Sequence, residues 1–177
     1  MLKNRLIRLS FIAALLHPLA AVHINGRTLA KDETTYTGRA EGTLEVKLFL
    51  IAVDDAGRLG KKIGCGDSVV AVTRELRPTR TPLRAALEEL LRVPRTYGSD
   101  PELYNALRQS ELRLVSVSVR RGMARLSFAG RLVMGGVCDG PRVQAQIEET
   151  ALQFPTVKKV RVFINGVPLS AYLSERG

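Results

Sequence analysis

"LRLVSVSVRRGMARLSFAG", residues 112–130, decides how the second half of this chain folds. Val115, Val117 and Val119 alternate with Ser116, Ser118 and Arg120, and Ala124, Leu126 and Phe128 alternate back. A period of two puts successive side chains on opposite faces of a strand. Arg121-Gly122 stands between the two runs, and glycine supplies the positive φ that a two-residue hairpin turn requires. The stretch therefore predicts a β-hairpin. After the turn-rich "VMGGVCDGPRV", a helix is expected from Asp139, Gly140 and Pro141, with Val143, Ile147, Ala151 and Phe154 as its buried stripe. Pro155 stops that helix, Val160–Ile164 reads as a strand, and Asn165-Gly166 as a turn.

Upstream, "LEVKLFLIAV" places Leu44, Val46, Leu48, Leu50 and Ala52 on one face of a strand, and "DSVVAVTREL" is a second strand. "TPLRAALEELLRV" is a helix, with Thr81 as its cap, Pro82 at its first position and Leu83, Ala86, Leu87, Leu90 and Leu91 on one side. "SDPELYNALRQS" repeats the start signal and predicts a short helix with Leu103, Ala106 and Leu107 inward. The order β-β-α-(α)-β-β-α-β describes a single α+β domain, with two main helices packed on one face of a mixed or antiparallel sheet.

The first thirty residues run basic ("MLKNRLIR"), apolar ("LSFIAALLHPLAAV") and small, the order of a secretory signal peptide. Thr28-Leu29-Ala30 supplies the small residues at which such a leader is cut, with Ala20 or Ala21 as alternative ends, and an uncleaved anchor is the other reading. The apolar run is short and broken by Pro18, a poor fit to a membrane span. Residues 31–43, "KDETTYTGRAEGT", read as a linker, which leaves 44–172 as the folded domain. No cysteine stands near the end of the leader, so no lipid attachment is expected there, and membrane association is peripheral or none. Of the net charge of +10, Lys3, Arg5 and Arg8 contribute three in the basic head of the leader, and the remaining charge of about +7 favours an anionic partner. Export points to an envelope protein or an anionic wall polymer and away from nucleic acid. A cytosolic nucleic-acid binder would require the leader to be kept.

An even number of cysteines in an exported chain, Cys65 in "IGCGDS" and Cys138 in "GVCDGP", reads as a disulfide closing a loop of about 70 residues. Free thiols are the alternative; a metal site lacks further Cys or His ligands. The two histidines, His17 and His23, both lie in the leader, so a Ser-His-Asp, Cys-His or His-zinc arrangement cannot be built in the domain. No cofactor motif is present: "GGVCDGPR" lacks the spacing of phosphate-binding loops. Glu88-Glu89 and Glu148-Glu149 diverge as neighbours on helices. Asp67 and Asp139 are the acids a Cys65–Cys138 bond brings together, and they carry the alternative of a carboxylate-dependent wall hydrolase. The basic residues cluster as Arg74, Arg77, Arg80 and Arg84; as Arg120, Arg121 and Arg125; and as Lys158, Lys159 and Arg161. Strand pairing is able to join the last two groups on one sheet surface, as candidate contacts for an anionic partner; protection of a strand edge by charge is the other reading.

Taken together, "LFLIAV", "VVAVTREL", "PLRAALEELL", "LVSVSVRRGMARLSFAG" and "QIEETALQFPTVKKVRVFING" resemble a GerMN domain, the sporulation and germination domain of bacterial envelope proteins, over roughly residues 44–170. The resemblance implies an exported, non-enzymatic α+β domain related to ring-building folds, implicated in assembling or stabilising envelope complexes and elsewhere appended to lipoproteins. It carries over no catalytic residues.

Overall fold

In the first sheet, β1 (Leu44–Ala52) turns Val46, Leu48, Leu50 and Ala52 inward, as the alternation predicts. It pairs antiparallel along its whole length with β3 (Ser68–Leu76), from Leu44 opposite Leu76 to Ala52 opposite Ser68. Between them come β2 (Lys61–Lys62) and a single 3-10 turn, Gly64–Gly66. The computed structural model describes residues 42–98 and 102–174. The expected leader, and the linker up to residue 41, lie outside the described residues.

Helix α1 (Pro82–Arg92) follows, with Leu83, Ala86, Leu87 and Leu90 buried and Pro82 in the first turn. Thr81 stands at its head but makes no capping hydrogen bond; its hydroxyl faces that of Thr79, 3.3 Å away. The short helix expected over residues 99–110 does not form among the described residues of that stretch. Leu103–Tyr104 is instead a strand, β5, paired with β4 (Thr96–Tyr97) and touching β1 through Ile51 opposite Tyr104. Turns complete the segment. Asn105 accounts for the difference. Its amide donates to the carbonyls of Leu90 and Val93, both at 3.0 Å, and so satisfies the end of α1 rather than starting a new helix. Leu103, Ala106 and Leu107 are buried, as expected, without the helix.

The second sheet holds the hairpin. β6 (Glu111–Arg120) and β7 (Met123–Arg131) pair antiparallel about Arg121-Gly122, whose φ angles of 49° and 79° are those of the expected turn. A bulge between Leu114 and Ser116 breaks the alternation and leaves Val115 exposed, while Val117 stays half buried. Helix α2 (Asp139–Leu152) buries Val143, Ile147 and Ala151 and leads to β8 (Lys159–Ile164). β8 runs parallel to β7, Met123 opposite Lys159 through Phe128 opposite Ile164, and a two-residue turn at Asn165-Gly166 returns the chain as β9 (Val167–Pro168) and the short helix α3 (Leu169–Ser174).

The strands thus divide into two sheets, ordered β2-β3-β1-β5-β4 and β6-β7-β8-β9, within the α+β class. One core joins them. α1 contacts β1 and β6, and α2 contacts β1 and β8, so each helix spans both sheets. α2 also completes the edge of β1 that β3 leaves open. Gln146, Thr150 and Gln153 lie one turn apart on α2; they bond the backbones of Phe49 and Lys47 at 2.6–3.3 Å and take the place of a neighbouring strand.

Candidate functional site

The parallel pairing of β7 with β8 sets Arg125 beside Arg161, and the hairpin sets Ser118 beside Arg125 and Arg120 beside Met123. Ala124, Leu126 and Phe128 face the core. Arg120, Arg125, Lys159 and Arg161 therefore lie together on the opposite face of the second sheet, joining two of the sequence clusters. Arg121 occupies the hairpin turn and Lys158 folds over it. The Lys158 amide donates to the Gly122 carbonyl at 2.7 Å, and a Cβ added at Gly122 would stand 3.1 Å from Lys158 Cγ. The Arg125 guanidinium sits 3.6 Å from the centre of the Phe163 ring, which orients it along the sheet. Phe163 went unread as a site residue, although it continues the alternation of Lys159 and Arg161. Among the described residues, none of these six cations forms an ion pair with a carboxylate. Farther along the same sheet, Arg131 does pair with Glu111, at 2.9 Å.

Arg84, in the remaining cluster, is engaged in structure. It pairs with Glu88 at 3.0 Å and donates to the Val115 carbonyl at 3.0 Å, holding the bulge of β6 to α1. Arg74 stacks on Tyr97, 5.0 Å from the ring centre.

Cys65 and Cys138 are joined in a disulfide, their Cα atoms 5.8 Å apart. Cys65 takes a positive φ of 63° in the 3-10 turn before β3, and Cys138 heads α2. Asp67 and Asp139 do converge beside the bond, but not as a free acid pair. Arg142, one turn into α2, lies between them. Its Nε donates to Asp67 Oδ2 at 2.6 Å and its Nη1 to Asp139 Oδ1 at 3.1 Å. The second oxygens are also taken, that of Asp67 by the Asp54 amide at 3.0 Å and that of Asp139 by the Gly135 amide at 2.7 Å. The Asp67 carboxylate above all, and Asp139 with it, raises the guanidinium pKa above its ordinary value against the opposing effect of burial. A wall hydrolase needs one acid free to give a proton and another free to activate water or attack. Both acids here are held by one cation, and the arrangement works as a buried clamp across the disulfide. Arg142 was missed in the sequence because its three-residue spacing from Asp139 reads as an ordinary helix-surface pair.

Among the described residues, no helix is long and apolar enough to cross a membrane, and no three His, Cys, Asp or Glu side chains are grouped to hold a metal ion.

A family model described as "Germane: Sporulation and spore germination" matches residues 53–170, a span that takes in both cysteines, the clamp and all six cations. The chain belongs to this family. Germane relatives of known structure share its fold. The tandem GerMN domains of the sporulation protein GerM from Bacillus subtilis are 21% identical with a TM-score of 0.52, over 76% of this chain and 43% of that one. The first GerMN domain of the same protein is 20% identical with a TM-score of 0.50, over 71% of this chain and 86% of that one. This Germane chain thus spans less than half the length of the tandem protein. No curated protein matches it at a significant level.

Proposed function

We propose that this chain is an exported, non-catalytic interaction domain of the bacterial cell envelope, belonging to an assembly of the sporulation or germination kind, and that it holds an envelope protein or an anionic wall polymer on its basic sheet face. One observation carries the reading: Arg125 and Arg161 are direct neighbours across a strand pair, with Arg120 and Lys159 on the same face, and among the described residues none of the four is ion-paired. Like charges set side by side on a sheet destabilise it. Folding alone gives no reason to keep them, whereas a polyanionic partner does. The disulfide fits an oxidising compartment.

The test is charge reversal, Lys158→Glu, Lys159→Glu and Arg161→Glu together, with circular dichroism to verify the fold. Retention of the full chain on isolated cell walls at low salt is expected to fall at least about tenfold, and wild-type retention to weaken as salt screens the contacts. Unchanged retention removes this face as the binding surface. N-terminal sequencing of the natural protein is expected to show residues 1–30 removed.

A further inference from the structure

We propose that the open edge of β8 accepts an extended, acidic segment of a partner protein as an added strand; this rests on the reading of the basic face as a binding surface and names the class of partner. The backbone alternation identifies the edge. The Lys159 amide donates to the Gly122 carbonyl at 3.0 Å and the Asn165 amide to the Phe128 carbonyl at 2.9 Å. Residues 159, 161, 163 and 165 therefore turn their backbone groups toward β7, and Val160 and Val162 turn theirs away. β9 meets β8 only at Phe163 and Ile164; Pro168 has no N–H, so that pairing is closed by the Leu169 amide on the Val162 carbonyl, and among the described residues no strand or side chain bonds the Val160 amide and carbonyl or the Val162 amide. The free edge of β6 is different. It is interrupted by the bulge, and Arg84 already occupies the carbonyl of Val115. These are devices that blunt an edge against pairing; β8 has no bulge and carries only the charges of Lys159 and Arg161, which an acidic strand neutralises.

A cleft of about 510 Å³ runs along this edge, walled on the far side by Gln144 and Glu148 of α2 and closed at one end by Leu169. It has the form of a docking groove for an extended chain, in which main-chain bonds give affinity and alternate side chains give specificity. The side chains on the sheet face, opposite Lys159, Arg161 and Arg125, meet cations and are best acidic. Those turned the other way meet Val160, Val162 and the carboxylate of Glu148, and are best apolar. The occupant is thus a short run alternating acidic and apolar residues. A second copy of this chain is disfavoured: pairing β8 with itself sets Lys159 and Arg161 against their own counterparts. An interface of this size belongs with weak, transient contacts.

The probe is the fluorescein-labelled peptide Glu-Val-Glu-Val-Glu-Val-Glu, titrated into the full chain by anisotropy and followed by amide NMR. Binding is expected with the largest amide shifts at Val160 and Val162, and with at least fivefold loss on Arg161→Glu. N-methylating every second peptide amide is expected to abolish binding in one phase of the alternation and to spare it in the other, a result that needs no change to the protein. Val160→Pro removes an outward N–H without removing a bond to β7, and is expected to weaken the peptide while leaving retention on cell walls intact. Binding indifferent to the phase of N-methylation, or matched by poly-glutamate with no shift at Val160 and Val162, overturns strand addition and leaves the basic face standing as a charge surface. A concentration-dependent dimer with β8–β8 contacts overturns it in favour of self-pairing. Failure of every anionic probe, walls included, removes the proposed function with it.

Discussion

Gln153 holds Lys47 by both ends of its amide: Nε2 donates to the Lys47 carbonyl at 2.6 Å and Oε1 accepts from the Lys47 amide at 2.7 Å. A helix side chain here imitates the two-bond grip of a paired strand residue. One and two turns back, Thr150 and Gln146 do the same for Phe49.

These substitutes for a strand differ in cost. Gln146 is fully buried and also links the Ala106 amide and the Asn105 side chain. Gln146→Ala leaves several buried groups unpartnered and is expected to cost about 2–4 kcal/mol. Gln153→Ala, where water reaches the freed groups, is expected to cost about 1 kcal/mol. Urea denaturation of both variants checks the ranking.

Removing the Cys65–Cys138 bond frees a loop of 73 residues in the unfolded chain. Cys65→Ser with Cys138→Ser is expected to lose about 4 kcal/mol on the chain-entropy relation. Denaturation with and without reductant checks this: the wild type is expected to drop to the level of the variant, which itself is indifferent to reductant.

Arg142 is the sole described cation bonded to Asp67, which is fully buried. Arg142→Ala strands that charge and Asp139 with it, for an expected loss of about 3–5 kcal/mol. Arg142→Lys is expected to recover only part, because an ammonium cannot reproduce the fork that reaches both acids. Thermal unfolding of the two variants separates loss of charge from loss of geometry.

Asp55 carries a pH dependence. The Ser68 hydroxyl first of all, then the amides of Leu59 and Gly57 and the Arg58 guanidinium, hold its carboxyl below the ordinary aspartate value, against the opposing effect of burial. A depressed folded pKa stabilises fully above the unfolded value of about 3.9, and the contribution is lost as pH falls from there through the folded value. Asp55→Asn is therefore expected to be less stable than wild type at pH 7, with the gap narrowing below about pH 4. Denaturant midpoints from pH 3 to 7 measure it.

Where apolar spacing and backbone chemistry agree, the fold was legible in the residues alone. The hairpin, α1, α2 and β8 lie within a residue or two of their expected limits. The misreadings arose where side chains bond at long range. Asn105 bonds α1 instead of beginning a helix, and Arg84 secures a bulge that exposes Val115, which pure alternation would have buried. The stripe Gln146–Thr150–Gln153 looks like a solvent face to any count of apolar positions, yet it lies against a strand edge. In the candidate site, the convergence of Asp67 and Asp139 and the joining of two cationic clusters followed from chain order and pairing. Arg142 between the acids and Phe163 beneath Arg125 did not, since each depends on a neighbour brought up from another element.

The partner of β7 on its far side is β8, which comes into being only after α2 has been made. During synthesis the hairpin must therefore wait, its inner edge bare, while some thirty more residues are added. A nascent chain stalled before Lys159 would present the first sheet complete and the second unfinished. The interval between residues 131 and 164 is thus where this polypeptide most needs a chaperone's cover.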